Sequence, residues 1–215
     1  MNQKMKSEVE VFFRKHKLIK YKKGQILVRP DDNLGKIFLE KTGYARVYKI
    51  TDSGREISWP NLRPMWLYSV ISALLEQENE YYVEAVNNLE AWVVPVADFK
   101  KFLEEKKELS KEIYKSLMED LLQLSEKMEQ LILAEAYTKV TILINELVKN
   151  FGEKKGNEII INFNIPHRVL ASITGLTRET VTLQILKMQK RKILENRKRN
   201  IVIKDIKKLM SESQI

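Results

Sequence analysis

The sequence predicts an α+β chain: a closed antiparallel β domain, then a long helix, then a helix-turn-helix with a β wing. Three observations predict it. Short β-branched or aromatic runs, separated by turn residues, fill about the first hundred positions. Apolar residues at alternating three- and four-residue spacing follow, and the C-terminal part combines two helical segments with a concentration of positive charge.

In the β part, Gly24–Pro30, Lys36–Glu40, Tyr44–Ile50, Tyr81–Val86 and Ala91–Val96 read as strands. Asp52-Ser53-Gly54 is a hairpin turn between Ile50 and Ile57. Closely spaced short strands suit a small sandwich or barrel, where closure removes exposed edges.

The period then changes. Tyr114, Leu117, Leu121, Leu124, Met128 and Leu131 are spaced 3, 4, 3, 4 and 3 apart, the heptad seam of a dimerising helix. The same stripe also suits packing on the chain's own β domain. Leu122, Ile132 and Leu133 widen the apolar face, as if one helix served both surfaces. The rhythm fails near Glu135–Thr138, and a second amphipathic helix runs from about Lys139 to Asn150. Phe151–Asn157 reads as a polar loop, and Ile159–Phe163 as a short strand.

Between Ile165 and Leu186, Pro166 suits the first turn of one helix, and Leu170, Ala171 and Ile173 give it an apolar face. Gly175 ends it, Thr177 caps the next, and Val181, Ile185 and Met188 turn inward. Arg178, Glu179, Thr180 and Thr182 stay outward near the second helix's N-terminus, where a helix-turn-helix meets base edges. Arg178 suits guanine O6/N7, and Glu179 suits a cytosine amino group. Thr177, Thr180, His167 and Lys187 are placed for phosphates. So are Arg197, Lys198 and Arg199, at the tip of a hairpin formed by Ile193-Leu194 and Ile201–Ile203.

Charge agrees with this placement. The 215-residue chain has net charge +9, and Pro166–Lys208 holds twelve Lys/Arg against three acids, which equals that total. Such an excess is the footprint of a polyanion-binding domain. With 44% hydrophobic and 31% charged residues the chain is globular. No cysteine is present, which excludes disulfides, thiolate metal sites and a cysteine nucleophile. Only His16 and His167 are available as imidazoles. No phosphate-binding loop or Ser/His/Asp arrangement is evident, so an enzyme is disfavoured. The N-terminus lacks an apolar signal core, and no long uncharged apolar run exists, so a cytoplasmic location without membrane contact is expected.

Gly175-Leu-Thr-Arg-Glu-Thr-Val-Thr182 is similar to the recognition-helix motif of the CRP/FNR superfamily of bacterial transcription regulators. Ile201–Asp205 after the basic wing, and the glycines at 43 and 54, also resemble that family, so the likeness covers essentially the whole chain. It implies a β-roll (a cupin-like jelly roll) over 1–104, a dimerisation helix over 105–137 and a winged helix-turn-helix over 138–215. It further implies a homodimer on a palindromic DNA site, an effector acting through the roll, and RNA polymerase as a partner if the protein activates. Carried over, Arg178, Glu179 and Thr182 take base-reading positions, while Leu183 stands where the family usually has arginine and could touch a thymine methyl. Where cyclic-AMP-binding members carry Gly-Glu and Arg-Ser, this chain has Tyr68-Ser69 and Asn79-Glu80, with Glu76 and Glu78 nearby. A cyclic phosphate would meet repulsion there, and neither an iron–sulfur cluster nor haem is expected. Trp66, Tyr68, Tyr81 and Tyr82 are the candidate pocket for an apolar effector, although aromatics at such spacing also suit a core. The alternative function is a ligand-binding module that acts on a protein partner through its winged helix.

Overall fold

The computed structural model describes residues 3–32, 35–59, 67–163, 165–197 and 200–213. In chain order the elements begin α1 (Gln3–Phe13), β1 (Lys17–Tyr21), β2 (Ile26–Val28), β3 (Lys36–Thr42), β4 (Ala45–Ile50) and β5 (Glu56–Ser58). They continue β6 (Leu67–Tyr68), α2 (Val70–Leu75), β7 (Tyr82–Ala85), β8 (Leu89–Pro95), α3 (Val96–Glu105) and α4 (Lys107–Leu133). Last come α5 (Ala136–Phe151), β9 (Gly152–Lys155), β10 (Glu158–Ile161), α6 (His167–Thr174), α7 (Arg178–Lys190), β11 (Leu194–Arg197), β12 (Asn200–Ile203) and α8 (Ile206–Glu212). They form two compact units, residues 1–49 with 64–125, and residues 50–63 with 126–215.

The first unit is the jelly roll. One sheet runs β1–β8–β3–β6, and in the other β7 lies between β2 and β4, every pairing antiparallel. Between the sheets lie Phe38, Ala45, Tyr68, Val83, Ala85, Leu89 and Val93. Ile37, Leu39, Trp92 and Val94 face the opposite way, onto Phe13 of α1, Val70 of α2, Phe99 of α3 and Ile113 of α4. β3 and β8 are thus buried on both faces, which is why Ile37-Phe38-Leu39 and Ala91–Val94 are apolar without alternation. The strand β1 and helices α1 to α3 were not expected. Each is short and depends on packing against the sheet, α1 through Val9 and Phe13, α2 through Val70 and Ala73, and α3 through Phe99 and Leu103.

Gly43, at the turn between β3 and β4, has φ +78, and a Cβ there would stand 2.2 Å from the Asn88 carbonyl oxygen. Backbone blocks backbone, so no side chain fits. On the face of β4 and β7 opposite the inter-sheet core, Arg46 Nη2 reaches Glu84 Oε2 at 2.7 Å, and its guanidinium lies 3.9 Å from the Tyr48 ring centre. Arg46 is only 2% exposed.

The helix expected from residue 105 starts at Lys107, because Lys106 leaves helical geometry (φ −120, ψ 61) and separates α3 from α4. A second break follows Leu133: Glu135 is extended (φ −70, ψ 164), and α5 begins at Ala136. In the second unit α5 is buried around most of its girth, through Val140, Ile142, Leu143, Ile144 and Leu147. A four-stranded sheet runs β11–β12–β10–β9. The expected loop at Phe151–Asn157 is therefore largely a strand. Gly152–Lys155 pairs with β10 because backbone hydrogen bonding to a neighbour outweighs the polar, exposed side chains of Glu153, Lys154 and Lys155.

Candidate DNA interface

The helix-turn-helix is built on an apolar junction. Val169, Leu170 and Ile173 of α6 and Val181, Ile185 and Met188 of α7 are all buried. Gly175 closes α6 in the left-handed conformation, φ 70, where an L side chain costs about 1–2 kcal/mol. Ala171 is small and buried at the junction, as close helix crossing requires.

Thr177 caps α7, its Oγ1 accepting from the Thr180 amide at 3.1 Å and lying 2.9 Å from Thr180 Oγ1. Such a cap contributes about 1 kcal/mol and fixes where the helix starts. It leaves Arg178 and Glu179 exposed in the first turn, beside the unpaired N–H groups of the helix end. Thr177 and Thr180 thus serve the cap in the free protein.

His167 begins α6, yet its partner is on α7: Nδ1 lies 2.8 Å from Thr182 Oγ1. Thr182 Oγ1 also donates to the Arg178 carbonyl at 2.8 Å. Partial burial, and secondarily the Arg178 charge, hold the His167 pKa below its ordinary 6.5, so the imidazole is neutral at pH 7. Leu183 projects from α7 with 63% of its surface exposed.

Lys187 places its ammonium 4.5 Å from the Tyr137 ring centre, and Arg191 its guanidinium 5.6 Å away. The Tyr137 hydroxyl donates to Glu212; burial, then that carboxylate, push its pKa up to about 12. Glu212 also pairs with Arg191 at 2.5 Å. Tyr137 is therefore a platform under the cations at the C-terminal end of α7, a role that the sequence reading missed.

β11 and β12 form the expected hairpin, with Arg197 opposite Asn200. Arg197 is held by Glu158 of β10 through two bonds of 2.8 and 2.9 Å, and by Glu195. Lys204, and after it Arg197, keep Glu158 below the usual carboxylate range. The Arg197 charge is thus largely compensated. Lys198 and Arg199 lie outside the described residues.

The seam residues separate by face. Tyr114, Leu121 and Met128 are exposed, whereas Leu117 packs on the roll's helical core and Leu124 is half-buried. Of Leu131 only the backbone, within α4, is described. Met118, Leu122, Ile132 and Leu133 join the exposed set, at 59, 66, 72 and 65%. The sequence signal for this shifted stripe was the widening at Leu122, Ile132 and Leu133.

The aromatic pocket candidates do not converge. Trp66 lies outside the described residues. Tyr68 is buried between the sheets, its hydroxyl bonded to Glu40 and to the Ala45 carbonyl at 3.1 Å. Tyr82 is on the other face of β7, stacked on Tyr48 with ring centres 5.1 Å apart, and Tyr81 is half-buried. A 460 Å³ cavity of the roll is instead lined by Asp31, Asp32, Glu76 and Glu78, with Lys100 already bonded to Glu76. Asn79 spends its amide on the carbonyls of Arg29 and Tyr81, at 2.7 and 2.6 Å.

Residues 138–212 match the family model for the Crp-like helix-turn-helix domain, and residues 18–106 match that for the cyclic nucleotide-binding domain. The chain belongs to the CRP/FNR superfamily. As a CRP/FNR-type protein it is a DNA-binding transcription regulator. It is 24% identical over 185 residues to the global nitrogen regulator of Synechococcus elongatus, covering 85% of this chain and 83% of that one. A global nitrogen regulator of Nostoc sp. is 22% identical with the same coverage. Among solved CRP/FNR folds, FixK2 from Bradyrhizobium japonicum superposes with a TM-score of 0.81 at 17% identity, covering 93% of this chain and 98% of that one. A mutant of CooA from Carboxydothermus hydrogenoformans gives 0.72 at 22%, covering 94% and 89%. Among the described residues no helix is long and apolar enough to cross a membrane.

Proposed function

We propose that this CRP/FNR regulator acts in the cytoplasm as a homodimer on a palindromic duplex site. The observation that carries the reading is the Thr177-capped start of α7, which presents Arg178 and Glu179 outward from a rigid apolar junction. Arg178 reads guanine and Glu179 reads cytosine, while Thr182 and Leu183 complete the base-facing turns. Lys187, His167 and the wing cations Arg197 to Arg199 supply phosphate contacts, Arg197 by exchanging Glu158 for phosphate. The exposed stripe of α4, centred on Tyr114, Leu121 and Met128, is the dimer seam and sets half-site spacing.

The roll is read as a sensor for something other than a cyclic nucleotide, since among the described residues the one cation lining the acidic cavity, Lys100, is already bonded to Glu76. No cofactor is assigned, and RNA polymerase is the further partner if the protein activates. The test is selection from random duplexes, followed by titration at several salt concentrations. Enrichment of a palindrome, with log K falling linearly against log salt, is expected. Salt-independent binding, or enrichment of a single unpaired half-site, would overturn the reading.

A further inference from the structure

Resting on that DNA reading, the uncharged pair beside Arg178 and Glu179 has its own chemistry. Thr182 has one hydroxyl hydrogen. Its oxygen lies 2.8 Å from both the Arg178 carbonyl oxygen and His167 Nδ1, so that hydrogen is spent inside the motif whichever atom receives it. Thr182 therefore has no donor left for guanine O6 and N7 or for thymine O4. Toward a base it offers its methyl group and at most an acceptor lone pair.

Leu183 offers no hydrogen bond at all. It stands one helical turn after Glu179, as Thr182 stands one turn after Arg178, so the two extend both base-facing columns of α7. It is 63% exposed, with Glu179 one turn before it, the exposed Leu186 (47%) after it, and Arg178, Lys187 and Lys190 on the same helix. An exposed apolar side chain on a helix that also carries cations suits a surface that is anionic at its rim and apolar within. In the major groove the apolar point is the 5-methyl group of thymine.

We propose that Thr182 and Leu183 form a methyl-reading element, which selects thymine by apolar contact rather than by hydrogen bonding. His167 is the positioning residue: by holding the Thr182 hydroxyl it fixes the rotamer and keeps the methyl group toward the groove.

The probe is the palindrome enriched by selection, with each thymine replaced in turn by deoxyuridine in both half-sites, which removes a methyl group and nothing else. At one step per half-site, binding weakens about fourfold per methyl, the value of one buried carbon, and about fifteenfold for the symmetric pair. 5-Methylcytosine at that step recovers part of the loss relative to cytosine. Leu183→Ala reduces the deoxyuridine penalty there, and Leu183→Ala combined with Thr182→Ser abolishes it, while preferences at the Arg178 and Glu179 steps persist. His167→Ala reduces the penalty, and His167→Asn, whose amide reaches the same oxygen, retains it. Specific binding that tolerates deoxyuridine at every position overturns the methyl-reading proposal and leaves the DNA reading standing. Absence of any sequence selection overturns base reading itself, and this proposal with it.

Discussion

Replacing Leu121 with alanine separates the two faces of α4. Leu121 is 58% exposed, so a dimer has just over half of its side chain left to bury. Full burial of a leucine is worth about 1.5–3 kcal/mol, so truncation removes about 1 kcal/mol per copy and about 2 kcal/mol per dimer. The dimer Kd should therefore rise about 30-fold. Leu117→Ala is the internal control. Leu117 packs on the helical core of the roll, so its loss should cost about 1–2 kcal/mol of folding stability and lower Tm by several degrees. Its dimer Kd should be unchanged. Sedimentation equilibrium reads the first quantity and calorimetry the second. A wild-type dimer constant for Leu121→Ala, or a Leu117→Ala protein that dissociates equally readily, would refute the division of faces.

Other consequences can be measured with the same purified protein. Glu84→Gln removes the buried carboxylate that Arg46 Nη2 reaches at 2.7 Å, and should cost about 3–5 kcal/mol in urea unfolding. An unshifted urea midpoint would mean that the pair is solvated. Gly43→Ala forces a Cβ onto the Asn88 carbonyl oxygen, whereas Gly175→Ala, also at positive φ, meets open space. The first should destabilise by more than about 2 kcal/mol and the second by about 1–2 kcal/mol, and the opposite ranking in thermal melts would count against the turn geometry. The His167 pKa is depressed in the folded protein, so its neutral form contributes stability that is fully present above the ordinary 6.5. That contribution is lost as pH falls below 6.5 and through the lower folded value. Urea midpoints taken from pH 7.5 to 5 should fall more steeply for the wild type than for His167→Asn, and parallel curves would remove His167 from the account.

Local chemistry is what the residue order alone determined. The run from Pro166 to Thr182, with Gly175 at its turn and Thr177 at its cap, encodes a helix-turn-helix because capping, left-handed turns and inward apolar spacing act over a few neighbouring residues. The surplus of cations from Arg168 to Lys208 was equally plain, as were strands such as β4 and β8. Tertiary structure decided what each charged or aromatic group spends itself on. Arg197 reads as a free wing cation until β10 brings Glu158 beside it, 39 residues away in sequence. Tyr68 and Tyr82 read as one aromatic set until pleating and inter-sheet packing put them on different faces of β7. A heptad names a stripe but not its partner, so Leu117 and Leu121 parted only when the roll claimed one side of α4. Hydrogen bonds and ion pairs between distant segments depend on which surfaces meet in space, and a one-dimensional pattern does not carry that information.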